Sequence, residues 1–198
     1  MSAFKLNKSL FTLVFYFLNS LILNCQTQQI KEYNACATEK INLKDYNSAI
    51  EFYTRIIQIN PKDSAAYFDR AMMKEIIHDY EGAINDYTKA ISIDSNNVDN
   101  FFCRGINYYK IKKYKLAISD LNKMLKHEED NADAFYYRAL SKAELNDIQS
   151  AIIDCTKAIN LNPTKGNYYL TRGQLKIKLG QKQGGNLDLK KYKQLVIN

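Results

Sequence analysis

Within residues 65–77, apolar side chains recur at three- and four-residue spacing, the stripe of a helix that buries one face. Similar stripes follow along the chain, separated by short polar breaks. Asp45, Asp79 and Asp147 each stand just before a stripe. A short carboxylate there can accept a hydrogen bond from the free N–H groups that open a helix. The spacing predicts first helices near 30–43, 64–78, 98–111, 132–145 and 166–179. It predicts second helices near 46–60, 80–93, 114–127, 148–161 and 182–196.

The pattern is also periodic. Residues 46–53, 80–87, 114–121 and 148–155 align with one another, and their alanines Ala49, Ala83, Ala117 and Ala151 stand 34 residues apart each time. A fixed period of this size marks a stack of like units, none of which can bury its apolar face alone. A large aromatic recurs at Tyr33, Tyr67, Phe101, Phe135 and Tyr169. Four residues later stands a small residue, Ala37, Ala71, Gly105, Ala139 or Gly173, which lets two helices approach closely. Tyr53 and Tyr87 follow the second-helix alanine in two units, with Leu121 and Cys155 in the next two, and Pro61 and Pro163 end two units.

Period and residues together resemble the tetratricopeptide repeat over residues 30–197. The resemblance implies an all-α, right-handed solenoid of helix hairpins whose first helices line a concave groove. The repeats fall near 30–63, 64–97, 98–131 and 132–165, with a degenerate capping repeat at 166–197. In that last unit Gly184 and Gly185 occupy the alanine slot and should fray the start of its second helix.

Two charged columns share the period. Arg70, Arg104, Arg138 and Arg172 form one, and Asp86, Asp120, Asp154 and Asp188 form the other, 16 residues further on. The first repeat has Cys36 and Phe52 in these slots, so the two residue types are lost together. That joint loss predicts structural ion pairs inside each hairpin. A basic column, Arg55, Lys89, Lys123, Lys157 and Lys191, reads either as a solvated helix face or as a surface for anionic groups.

The resemblance places an apolar stripe in the groove: Phe68, Met72, Phe102, Ile106, Tyr109, Tyr136, Tyr137 and Leu140, joined by Asp69 and Cys103. Asp99, Asp133 and Glu144 stand at its rim, and Asn34, Thr38 and Gln174 make its ends polar. An exposed apolar patch with polar edges marks a partner site. The cationic clamp by which chaperone-binding arrays hold a carboxylate has no counterpart here. Its slots carry Asn34, Thr38, Asp69, Asp99 and Cys103.

Residues 1–25 differ from the rest. Lys5 and Lys8 precede an apolar run over 10–23, then come Asn24, Cys25 and a short polar linker at 26–29. A basic start, short apolar centre and polar exit describe an export signal. The run is shorter than the roughly 20 residues of a membrane span. Residues 22–25 resemble the lipobox of bacterial lipoproteins, which implies lipidation at Cys25, although Leu23 and Asn24 stand where small residues are usual. Conventional cleavage, a retained anchor and a buried apolar helix are the alternatives.

The net charge of +7 is modest, and its lysines are scattered among acids, which argues against a nucleic-acid partner. Cys25, Cys36, Cys103 and Cys155 are far apart and form no CxxC, so no metal site is expected. His78 and His127 lie in different repeats, and no phosphate loop or nucleophile elbow occurs. The expected role is a non-enzymatic, cofactor-free scaffold for a protein or peptide ligand, exported to a bacterial cell envelope or lipid-anchored there. A cytosolic assembly or regulatory factor is the alternative, as is binding to anionic surfaces through the basic column.

Overall fold

The computed structural model describes residues 2–197, with side chains from Leu10 onward. The lysines of the leader therefore fall outside the described side chains, and Met1 lies outside the described residues. Ten helices account for the described chain: α1 Ser2–Asn42, α2 Tyr46–Ile59, α3 Ser64–Ile76, α4 Tyr80–Ile93, α5 Asp99–Lys110, α6 Tyr114–His127, α7 Ala132–Glu144, α8 Ile148–Leu161, α9 Gly166–Lys178 and α10 Lys182–Ile197. Each odd helix packs on the even helix that follows, and each even helix packs on the next hairpin. The expected boundaries agree with these to within a few residues, the first helix excepted.

That helix departs from expectation. Residues 26–29, expected as a short polar linker, are helical, so the leader and the first repeat helix form one continuous α1. No glycine or proline interrupts the segment, and Gln is a good helix former. Leu10 to Leu23 is exposed throughout and touches none of the array's core.

Small residues hold each hairpin closed. Ala37, Ala49, Ala71, Ala83, Ala117, Ala139 and Ala151 are fully buried. A Cβ added at Gly105 would meet Leu121 Cγ at 3.0 Å. Asp45, Asp79 and Asp147 accept from the backbone N–H of Ser48, Gly82 and Ser150, and cap α2, α4 and α8. Asp63 and Asn131 cap α3 and α7 in the same way. The middle hairpin lacks both caps: Val98 and Lys113 stand at those positions without a capping side chain.

The turn inside each hairpin is built alike. Lys44, His78, Lys112, Asn146 and Gly180 have positive φ, and the next residue's N–H closes a bond to a carbonyl five residues back, as in Asp79 N to Lys74 O at 2.8 Å. Only the last of the five is glycine.

Gly184 and Gly185 do not break the start of α10, which begins at Lys182. A Cβ at Gly185 would lie 2.5 Å from Ile177 Cγ1 and 2.7 Å from the Gly173 carbonyl oxygen. Gly173 faces it across the seam, so the last hairpin is drawn closer than the others at this point, and the expected weakness is a close contact.

Candidate functional site

The hairpin interiors and the surface between the first helices use their charges differently. Inside the hairpins, each arginine grips its aspartate through two nitrogens. Arg70 Nε and Nη2 donate to Asp86 at 2.8 and 2.6 Å. Arg104 donates to Asp120 at 2.7 and 2.9 Å, Arg138 to Asp154 at 2.8 and 2.7 Å, and Arg172 to Asp188 at 2.9 and 2.6 Å. All four carboxylates are buried.

Two further layers went unread in the sequence. Lys74, Lys142 and Lys176 donate to the same carboxylates at 2.7–2.8 Å. The middle hairpin has Tyr108 in that slot, so Asp120 is served by Arg104 alone among these donors. Each arginine also reaches back one repeat through Nη1, to Thr54, Thr88, Asn122 or Thr156. This Thr/Thr/Asn/Thr column, again 34 residues apart, was the available signal. The ladder therefore ties repeat to repeat as well as helix to helix. Burial pushes the Asp154 and Asp188 carboxyls up, but hydrogen bonds from their arginine and lysine partners outweigh it and hold both below the ordinary carboxylate range.

The basic column lies beside this ladder. Lys123 Nζ sits 5.0 Å from the Phe101 ring centroid, and Lys157 5.1 Å from that of Phe135. Each ring also receives an arginine, Arg104 or Arg138. In the first repeat, Phe52 and Tyr33 pack at 6.0 Å where the others have an ion pair, and Arg55 lies over both rings. A recess of about 490 Å³ adjoins the ladder, lined by Leu125, Glu129, Phe135, Arg138, Lys157, Asn160 and Leu161.

Between α3, α5 and α7 the picture reverses. Of the groove residues expected from the sequence, only Met72 is exposed, at 39%; the others are half-buried. Phe68 meets Tyr87 edge-on at 5.6 Å, and Phe102, Tyr136 and Tyr137 pack against the core shared by α6–α9. These side chains therefore also hold neighbouring repeats together. Tyrosines run from this surface into the core, where Tyr168 is buried. Tyr114, Tyr109, Tyr137, Tyr136 and Tyr168 follow one another with ring centroids 4.9–5.9 Å apart.

Carboxylates interleave with these rings. Tyr168 donates its hydroxyl to Asp133 at 2.5 Å. Asn107 donates to Glu75 across the α3–α5 seam and to the Cys103 carbonyl at 2.8 Å. Burial pushes the Asp69 and Glu75 carboxyls up. It also raises the Cys103 thiol to about 12, which leaves that sulfur a poor nucleophile. Among the described residues no cluster of three His, Cys, Asp or Glu side chains could hold a metal ion.

Residues 33–63 match the tetratricopeptide repeat family model and residues 79–112 the TPR repeat model. The chain folds as a tetratricopeptide-repeat solenoid. Solved structures with this architecture include the MamA RS-1 ArsTM double mutant, at 18% identity, with TM-score 0.82, covering 84% of this chain and 94% of that one. MamA 41-end from Desulfovibrio magneticus RS-1 gives the same identity and coverage at TM-score 0.81. YrrB, a TPR protein with an unusual peptide-binding site, gives 18%, 86% of this chain, 91% of that one and TM-score 0.73. No curated protein matches the sequence.

Proposed function

We propose that the chain is a non-enzymatic scaffold that holds a peptide or protein segment against the surface formed by α3, α5 and α7. The observation that carries this reading is the run of Tyr109, Tyr137 and Tyr136 on α5 and α7, flanked by carboxylates, on helices whose arginines are engaged in the ladder. Interface energy concentrates in a few aromatic anchors within a polar rim, and this surface has that composition. Its ends are polar, since Asn34, Thr38 and Gln174 are exposed there. The peptide-binding site of the structurally similar YrrB supports the same kind of use.

The test is capture of the partner by the full chain and by Met72→Ala with Tyr109→Ala. These side chains are more suitable than Phe102 and Tyr136, which also join the core. Loss of capture with an unchanged helical spectrum supports the groove. Retained capture in this variant, with loss in Lys89→Ala and Lys123→Ala, moves the site to the basic column.

The leader favours a second element of the proposal, attachment to a membrane. Within α1, Leu10–Asn42 is long and apolar enough to cross a membrane by length and composition, and none of its most apolar window is buried. Cys25 is exposed. Export with a lipidated Cys25 as first residue fits the basic–apolar–cysteine order. Intact-mass measurement on membrane-extracted protein decides it: a lipid-bearing chain starting at Cys25 supports the proposal, and an unmodified Met1 start in the soluble fraction supports the cytosolic alternative.

A further inference from the structure

The charges on α3, α5 and α7 do not follow the protein's net charge. Arg70, Lys74, Arg104, Arg138 and Lys142 are all committed to buried aspartates. The carboxylates of Asp69, Glu75, Asp99, Asp133 and Glu144 have no ion-pair partner among the described residues. Lys110 near Glu75, and Lys165 beside Asp133, are the cations that adjoin them. A chain of net charge +7 thus presents unpaired carboxylates within its groove and along its rim.

One buried polar side chain just beneath this surface adds to the argument. The Asn107 side chain is 1% exposed; it donates to Glu75 and to the Cys103 carbonyl, and its Oδ1 has no partner. The Glu75 carboxylate and Asn107 Oδ1 are acceptors, and a group that only donates would complement them. Further along, a recess of about 280 Å³ is lined by Asp133, Tyr136, Tyr137 and Tyr168. Carboxylate and ring faces together suit an ammonium or guanidinium, through charge and through attraction to the aromatic quadrupole.

We propose that the segment held in the groove is basic, presenting lysine or arginine side chains to Glu75 and to the Asp133–Tyr136–Tyr168 recess. This rests on the groove reading above and names its partner's chemistry. Non-specific attraction runs the other way, because a protein of positive net charge draws acidic peptides.

The test uses the full chain in neutral detergent and three fluorescent nonapeptides of equal length: one alternating lysine or arginine with leucine, one with glutamate in the charged places, one with serine there. The basic peptide should bind at least tenfold more tightly than the other two. Glu75→Gln with Asp133→Asn should weaken it at least tenfold, and Lys89→Ala with Lys123→Ala should not weaken it. Circular dichroism melts check that the variants fold. If the serine peptide binds as well as the basic one, and Met72→Ala with Tyr109→Ala abolishes both, the groove stands and the basic preference is overturned. If binding of the basic peptide is unchanged in both the acid and the groove variants, the proposal and the groove reading both fail.

Discussion

The interior of each hairpin and the surface between hairpins are made from the same residue types, arginine, lysine, acids and aromatics, yet they are finished differently. Inside, Asp86, Asp154 and Asp188 each accept three charge-assisted hydrogen bonds, and every arginine extends a further bond to the preceding repeat. Outside, Glu75 has neutral hydrogen-bond donors with Lys110 only near by, and Asp69 has no ion pair among the described residues. A buried charge left in the first condition serves the fold, since its geometry is closed to any newcomer. A charge left in the second has interactions still to make. Position in the repeat, not residue type, separates the closed charges from the open ones here.

The largest effect belongs to the ladder. Removing one partner of a buried pair strands the other and costs about 3–5 kcal/mol. Arg104→Ala and Asp120→Ala should each destabilise the fold by that order, read as a lower melting temperature, and the double variant should lose less than the sum. The middle hairpin is the cleanest place to look, because no lysine backs up Asp120. Additive losses would break the comparison at its root.

Gly185→Ala comes next. Ala occupies this slot in the four preceding repeats, but here the added methyl meets Ile177 and the Gly173 carbonyl. Overpacking of this kind costs about 1–3 kcal/mol. A neutral or stabilising result in a thermal melt would show that the last hairpin relaxes like the others.

Lys113→Asp should move stability the other way. Lys113 has φ −87 and ψ 58, close to the capping Asp147 at −84 and 69. Supplying the missing cap should add about 1 kcal/mol, read as a higher midpoint in urea.

The smallest effect separates the two kinds of acid by pH. Asp154 and Asp188 have depressed pKa values, so their contribution is present above the ordinary carboxylate range and is lost as pH falls through the folded values. Asp69 and Glu75 have raised values, so their contribution is present at low pH and is lost as pH rises through those values. Glu75→Gln should therefore raise stability slightly at neutral pH and leave the acid-side loss in place. A variant that erased the acid-side loss would mean that the groove acid, not the ladder, governs it.

Much of this was legible before any coordinates. The period placed the helices, and the joint loss of Arg and Asp at Cys36 and Phe52 pointed to their pairing within a hairpin. What stayed hidden involved third partners. The lysines behind Asp86, Asp154 and Asp188 stand on the first helices among many other lysines and carry no mark of their own. The left-handed turn column was obscured because Lys44 and Lys112 are not types that advertise positive φ, although Asn146 and Gly180 are. The groove read as apolar because Phe68, Phe102 and Tyr136 were counted as exposed. Coiling of the stack shares them between repeats, and Met72, the edges of the tyrosines and the carboxylates remain at the surface.

The most direct test places a photo-crosslinking residue at Ile106, in the groove, or at Ser119, exposed on α6, in the full chain within its native cells. The account predicts partner adducts from position 106 and none from 119. Adducts from 119 alone would contradict it.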